Sequence, residues 1–514
     1  MTEDTNTENT ENTENTENIE NNVEVNEPVK KKNTGLRALI IVVVALAVVV
    51  GVSYMPLSKW TGGAVKDFNL LSDILPGLND ADTTSSGNND VEGIDPELQQ
   101  AMNEGAGGYQ NLRDSVLADG RVALVDASGT IIAYKAASAT SSDSVLIDIK
   151  PARVGDLVQI EDYTASQQGL QHLRAALSSG RLARIAVLGD SYIEGDILTQ
   201  DMRELLQDTY GGSGVGYMSL FTDFPGFRKS VKQGGKGWTT FAANKKGDKA
   251  YMGISEHYFK PSGNATATYS GTSSLAHVDR WDMSKFLFIA PDGGVVKVKN
   301  GADWVSHEVK ASPEVQCIAV PGATAEFAVS SSTPSIIGLG VWLESSKGIN
   351  VDCMSSRGFS GISLKNVNAD LCRQMAKYVD YDLIVLEFGI NAMSSKQTNY
   401  SVYGKRMEEV VNQMRACYPN ADILIMGIGD RGEKRGGEVH SMATSKNMVD
   451  EQREVARRTH SMFWDTQEAM GGQDAIVKWA SSGLANKDYI HLTHKGGREL
   501  ATRFVNALNH NLKK

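Results

Sequence analysis

Three short apolar runs, each closed by a turn and each set beside a stretch of helical spacing, constrain this chain more than any other feature. Arg184-Ile-Ala-Val-Leu188 stops at Gly189 and leads through a loop into helical spacing from Ile197 to Tyr210. Tyr381 to Phe388 stops at Gly389, and Ala421 to Gly427 follows a helical stretch from Tyr403 to Cys417. A further helical pattern, Gln167 to Ser178, precedes the first run. Apolar runs this short match strands buried on both faces, and their alternation with helices predicts a mostly parallel α/β sheet with three layers. Loops at the strand C-termini are then the place to look for chemistry.

Between these pieces the pattern changes. From Lys229 to Leu343 the chain breaks into short runs, Ala265 to Tyr269, Lys285 to Ile289, Val295 to Lys299, Ala325 to Val329 and Ile336 to Leu343, separated by Gly, Pro, Asn and Asp. Helical spacing is absent, which predicts an inserted all-β sandwich over 229–343. Such a module either walls one side of a cleft or binds a glycan, and the pattern favours neither.

The first hundred residues belong to no packed core. Residues 1–29 repeat a Thr-Glu-Asn triplet, too polar to offset the entropy of ordering, so 1–35 reads as a disordered tail. Ala38 to Tyr54 is an unbroken run of apolar and small residues, close to the ~20 needed to cross a bilayer, which predicts a single membrane helix over 36–55. Lys30, Lys31, Lys32 and Arg37 precede it and place the tail in the cytoplasm and the rest outside. A cleaved signal peptide is the rival, but the polar region ahead of the run is very long and no Ala-x-Ala-like site follows. Residues 56–108 are rich in Gly, Asp, Asn and Ser and read as a linker, and 109–160 as a small β-rich segment with a hairpin at Arg121 to Tyr134.

The net charge of −11 comes partly from eight Glu and one Asp ahead of Lys30. No basic stripe with interleaved aromatics exists, which excludes a nucleic-acid partner. Cys317, Cys353, Cys372 and Cys417 are too few for a disulfide framework and lack zinc spacing. They read as small buried apolar residues, with one bridge as the alternative outside the cytoplasm. No cofactor or metal is expected.

Gly189-Asp190-Ser191 follows the first predicted strand, where a serine faces the cleft, although the same tripeptide is ordinary turn chemistry. Asp488-Tyr-Ile-His491 puts a carboxylate three residues before an imidazole, so that Asp488 can hold His491 in the tautomer a serine needs. A helix cap with a surface histidine is the plainer reading, and a metal pair of His491 with His494 lacks a third ligand. Gly389-Ile-Asn391 and Gly358-Phe-Ser-Gly361 lie where a side-chain amide and an unobstructed backbone N–H would meet a developing oxyanion.

This order of blocks resembles the SGNH, or GDSL-type, hydrolase superfamily. Over about 165–510 the strings Gly189-Asp-Ser-Tyr-Ile-Glu-Gly-Asp, Tyr210-Gly-Gly-Ser-Gly-Val-Gly216, Phe463-Trp-Asp-Thr-Gln-Glu-Ala-Met-Gly-Gly472 and Asp488-Tyr-Ile-His-Leu-Thr493 resemble the branch of bacterial peptidoglycan O-acetylesterases, which carries an inserted β-module. The resemblance implies a flavodoxin-like catalytic domain over 161–228 and 344–514. It implies Ser191 as nucleophile, His491 as base and Asp488 as orienter. The implied oxyanion hole is the Ser191 N–H, Gly361 and Asn391, with Gly358 competing for the glycine place. Tyr192 after the serine departs from the common first block and is expected in the pocket wall. The implied activity is acetate removal from an envelope glycan by a single-pass protein of the cytoplasmic membrane, its catalytic domain in the periplasm or another extracytoplasmic space. An O-acetyltransferase with the same triad and a non-catalytic glycan-binding protein are the alternatives.

Overall fold

The computed structural model describes residues 157–513 except 244–246 and 302, with the strand backbones at 113–116, 122–125, 131–134 and 153–154. The acidic tail, the apolar run at 38–54 and the expected linker at 56–108 lie outside the described residues. Among the described residues, no helix is long and apolar enough to cross a membrane.

An antiparallel meander comes first: β1 (Arg113–Val116), β2 (Val122–Val125) and β3 (Ile131–Tyr134). The two runs flanking Asp126 to Gly129 pair as the hairpin reading expects, with Ala123 opposite Tyr134. A small ladder of β4 (Arg153–Val154) and β5 (Leu157–Val158), then β6 (Glu161–Asp162), lead to α1 (Gln171–Ser179), β7 (Ala183–Gly189) and α2 (Thr199–Tyr210). Nine β strands follow: β8 (Gly216–Met218), β9 (Lys232–Ala242), β10 (His257–Ser270), β11 (Trp281–Ala290), β12 (Gly294–Lys299), β13 (Trp304–Val309), β14 (Ser312–Thr324), β15 (Glu326–Ser331) and β16 (Ile337–Glu344). The α/β alternation then resumes through β17 (Ile349–Ser355), α3 (Ala369–Ala376), β18 (Leu383–Glu387), α4 (Ser401–Cys417) and β19 (Asp422–Met426). A hairpin of β20 (Gly432–Arg435) and β21 (Glu438–Ser441) precedes α5 (Ser445–Arg458), β22 (Met462–Trp464), α6 (Thr466–Met470), α7 (Ala475–Ser481) and α8 (His494–Leu512).

The central sheet runs β17-β7-β18-β19-β22-β6, with the first five strands parallel and β6 antiparallel at the edge. Numbered along the chain, the parallel strands stand in the order 2-1-3-4-5 of flavodoxin-like sheets, and that order reverses between β7 and β18. Every residue of β18, β19 and β22 is buried, which is why β18 and β19 read as nearly continuous apolar runs. Helix α2 packs on α8, and α4 on α3 and α5. The right-handed crossover rule for parallel strands in this order assigns the two groups to opposite faces of the sheet. Helix α8, which follows the Asp-x-x-His block, begins at a cap in which Thr493 Oγ1 accepts the Gly496 N–H at 3.1 Å.

The inserted strands form one branched sheet and not the two separate sheets of a simple sandwich. One leaf is β13-β12-β15-β10-β9 and the other β14-β11-β16-β8, and the pairing of Phe259 with Gly338 joins them. Trp238, Tyr269, Val298 and Phe327 from the first leaf share a core with Phe286, Phe288, Val341 and Leu343 from the second. Side chains alternate along β11, so Leu287 and Ile289 point the other way and join the α/β core. Buried Glu344 on β16 reinforces that seam, accepting from Arg184 of β7 at 2.7 and 2.8 Å and from Lys285 of β11 at 2.8 Å. The β-module is therefore fixed against the catalytic sheet.

Candidate active site

The reversal of strand order opens a crevice at the C-terminal ends of β7 and β18, and the sequence-predicted residues gather there. Ser191 lies two residues past β7 and Asn391 four past β18. The turn at Asp190 fixes the serine: its carboxylate is fully buried, and Oδ1 accepts the Tyr192 N–H at 2.9 Å. Gly189 must be glycine, because a Cβ there would stand 2.8 Å from Glu387 Oε2 and 2.9 Å from Glu387 O.

Ser191 Oγ is 2.9 Å from His491 Nε2, and His491 Nδ1 is 2.9 Å from Asp488 Oδ2. Asp488 Oδ1 also accepts the N–H groups of Ile490 and His491 at 2.9 and 3.0 Å. Partial burial alone would raise the Asp488 carboxyl, but the bond from His491 and the two backbone N–H groups outweigh it and hold the carboxyl below its ordinary value. An ionised carboxylate only accepts, so the ring proton sits on Nδ1 and the Nε2 lone pair faces the serine. The tight loop requires Tyr489 at φ 57°, and the Gly432 N–H steadies it by donating to the Tyr489 carbonyl at 2.8 Å. The triad faces solvent: the side chains of His491 and Asp488 are 38% and 41% exposed.

Asn391 is buried beside this group. Its amide nitrogen donates to Asp190 Oδ2 and to the Phe359 carbonyl, each at 3.1 Å, so both amide hydrogens have protein partners. Gly361 is buried at φ 88°, and a Cβ on it would come within 2.5 Å of the Phe388 ring, so this loop packs directly on the strand end that carries Asn391. Gly358 is half-buried at φ 78°.

The reading of one residue, Tyr192, changes. Tyr192 does not line a pocket: it is buried behind the nucleophile loop, with its hydroxyl 3.4 Å from Met470 Sδ. His494 turns its Nδ1 toward Gln200 at 3.3 Å, and among the described residues no group of three His, Cys, Asp or Glu is placed to hold a metal. The four cysteines are all free, and Cys353, Cys372 and Cys417 are buried.

Sequence reasoning missed the groups that brace the site. Burial, and then the nearby Asp190 carboxylate, push the Glu387 carboxyl well above its ordinary value under the nucleophile turn. Buried Arg431 donates from Nη1 to the Ile390 carbonyl at 2.8 Å and so supports the Asn391 loop. Fully buried Asp196, five residues past the serine, accepts from Arg203 at 2.8 and 2.9 Å, from Arg228 at 3.2 Å and from Ser230 at 2.6 Å. Burial would raise its carboxyl, but the two guanidinium groups hold it far below the usual range. Arg228 and Ser230 lead into β9, so this cluster ties the nucleophile loop to the β-module. A Gly-Asp pair in a loop carries no sign of such a role.

Residues 338–498 match the model of the GDSL-like lipase/acylhydrolase family. The matched segment starts in β16 and ends in α8, so the insertion leaves β7 and Ser191 outside a contiguous match. The sheet order and the family match over 338–498 support an SGNH-hydrolase fold for the α/β domain. The chain shares the fold of a solved peptidoglycan O-acetylesterase, at 24% identity and TM-score 0.58 over 69% of this chain and 99% of that one. A family two carbohydrate esterase from Cellvibrio japonicus matches at 11% identity and TM-score 0.24 over 55% of this chain and 99% of that one. An acetyl xylan esterase matches at 17% identity and TM-score 0.25 over 31% and 81%. No curated protein sequence matches the chain.

Proposed function

We propose that this chain removes O-acetyl groups from peptidoglycan or another cell-envelope polysaccharide through an acyl-enzyme on Ser191. The observation that carries the proposal is the continuous hydrogen-bonded line from Ser191 Oγ through His491 to Asp488, both links 2.9 Å, at the switch point of the sheet. His491 Nε2 takes the Ser191 proton as Oγ attacks the acetyl carbonyl carbon. The tetrahedral oxyanion meets the Ser191 and Gly361 N–H groups and the Asn391 amide, for which the substrate oxygen displaces the Phe359 carbonyl or the Asp190 carboxylate. Collapse breaks the ester C–O bond, and His491 returns the proton to the departing sugar oxygen. Water, deprotonated by His491, then attacks the acyl carbon; acetate leaves and Oγ regains its proton.

The fold shared with a peptidoglycan O-acetylesterase supports the glycan substrate. Hydrolysis is favoured over transfer to a sugar hydroxyl because the triad is open to water, with His491 38% exposed. The Ala38 to Tyr54 run supports a single-pass anchor in the cytoplasmic membrane, with the catalytic domain on the extracytoplasmic side beside its glycan. The test is mass-spectrometric measurement of O-acetyl content and free acetate from purified envelope glycans, with wild type against Ser191→Ala. Wild type releases acetate and the variant does not. Aryl acetate turnover with unchanged glycan acetylation would sink the substrate assignment, and formation of acetylated glycan would make the chain a transferase.

A further inference from the structure

The outward face of the first β-leaf carries charge that the reaction does not use. Ala265, Ala267 and Tyr269 of β10, Val296 and Val298 of β12, and Phe327 and Val329 of β15 point into the module core, so the residues that alternate with them point out. Register aligns those outward residues in rows across the strands. One row reads Lys236, Thr266, Ser330, Lys297 and Ser306 from β9 to β13, and the next reads Gly234, Thr268, Ala328, Lys299 and Trp304. Lys232 stands opposite Ser270 in a third. Lys236 and Lys297 are three strand spacings apart, about 14 Å, with the hydroxyl side chains of Thr266 and Ser330 between them.

Lys232, Lys236 and Lys297 are exposed and Lys299 is half-buried, and among the described residues none of the four has an ion pair. The chain as a whole carries −11, yet on this face Glu308 and Glu326 stand against four lysines. An apolar fringe borders them. Trp304, opposite Lys299, is 43% exposed, Val295 is 37% exposed, and Val305 is 54% exposed because no strand lies beyond β13, so the fold covers none of the three. Unpaired lysines among hydroxyl groups, edged by a tryptophan and two valines, match the surface of an anionic bilayer, where cations meet lipid phosphates and an indole settles at headgroup depth. A soluble polyanion would engage the lysines and leave the apolar fringe in water.

We propose that this face of the β-module docks on an anionic phospholipid surface and holds the catalytic domain against it. The single-pass anchor proposed above supports the choice of a bilayer, while the charge and the apolar fringe belong to the face itself. The test uses the intact chain in vesicles of phosphatidylcholine alone and of phosphatidylcholine with phosphatidylglycerol, at low salt. A membrane-impermeant amine reagent labels the lysines, and peptide mass spectrometry gives the labelling of Lys232 and Lys236 relative to Lys446 of α5, whose side chain is 80% exposed. Each lysine near an anionic surface contributes roughly fivefold to binding, so Lys232 and Lys236 should label about fivefold more slowly on the anionic vesicles. About 0.5 M salt should abolish the difference. The double variant Lys297→Glu with Lys299→Glu, changed on the solvent side of the sheet, should bring the two vesicles within twofold of each other. Wild-type labelling within twofold on both vesicles, or protection that survives the double substitution, would overturn the docking face and leave the anchor standing. A chain that floats with anionic but not with neutral vesicles, and only while Lys297 and Lys299 are intact, would overturn the anchor and keep the face. Equal protection by soluble polyphosphate on neutral vesicles would assign the face to a soluble polyanion and overturn the bilayer as its partner.

Discussion

Replacing Asp488 by Asn changes one oxygen to an NH2 group and tests how the base is held. The wild-type carboxylate accepts three bonds: Ile490 N–H at 2.9 Å and His491 N–H at 3.0 Å on Oδ1, and His491 Nδ1 at 2.9 Å on Oδ2. An asparagine oxygen can keep the two backbone bonds, which leaves its NH2 facing Nδ1. That NH2 donates, so Nδ1 must become the acceptor and the ring proton moves to Nε2, toward Ser191. The imidazole then offers the serine no lone pair. Loss of the useful tautomer lowers kcat by on the order of 10⁴, or about 5.5 kcal/mol at 1.36 kcal/mol per decade. Stability should barely change, because the altered bond is solvent-exposed and its neutral replacement differs by about 1 kcal/mol or less. The assay is kcat on an aryl acetate, with thermal denaturation run in parallel to confirm the fold. A variant that keeps more than a tenth of wild-type kcat would refute the orienting role.

Asn391→Ala removes an oxyanion donor and also the bonds to Asp190 and Phe359, and is expected to lower kcat by roughly a hundredfold or more in the same assay. Asp196→Ala strands fully buried Arg203 without its carboxylate partner and should cost about 3–5 kcal/mol in urea denaturation at neutral pH. Because the folded Asp196 carboxyl lies far below its ordinary value, its contribution is complete above about pH 4 and drains away as pH falls further. The gap between wild type and Asp196→Ala should therefore narrow on acidification, and a gap that widens would contradict the ion cluster. Asp488, also held low, stays ionised through the mildly acid range, so its own protonation should not cause a loss of activity there, which a pH–rate profile checks.

The sheet was legible where its strands are buried on both faces. Leu383–Glu387 and Asp422–Met426 are unbroken apolar runs apart from one carboxylate each, and each precedes or follows a clear helix. Some buried strands escaped notice because they are only three residues long, Gly216–Met218 and Met462–Trp464, or are interrupted by Asn350 and Asp352, Ile349–Ser355; the others have different environments. Lys232–Ala242 carries three glycines and is largely exposed, Trp304–Val309 lies at a sheet edge, and Ser312–Thr324 holds two prolines. Pattern reading has nothing apolar to follow in such segments. The branching of the β-module was equally hidden, since it depends on a single bridge between Phe259 and Gly338.

At the site, Ser191, Asp488 and His491 could be named because the order of the short blocks resembles that of the SGNH hydrolases, whereas each block alone reads as turn or cap chemistry. Tyr192 was misplaced because sequence says that a residue follows the serine but not which way a strand-end turn points it. Asp196, Glu387 and Arg431 were invisible for a related reason: their partners, Arg203 and Arg228, Asp190, and the Ile390 carbonyl, meet them only in the folded chain.

Reaction of the intact chain with a serine-directed organophosphonate, read by peptide mass spectrometry, bears most directly on whether Ser191 is an activated nucleophile. One adduct should form, on the peptide that holds Gly189-Asp190-Ser191, and His491→Ala should slow its formation by several orders of magnitude. An unlabelled chain, or labelling that proceeds equally fast without the imidazole, would contradict it.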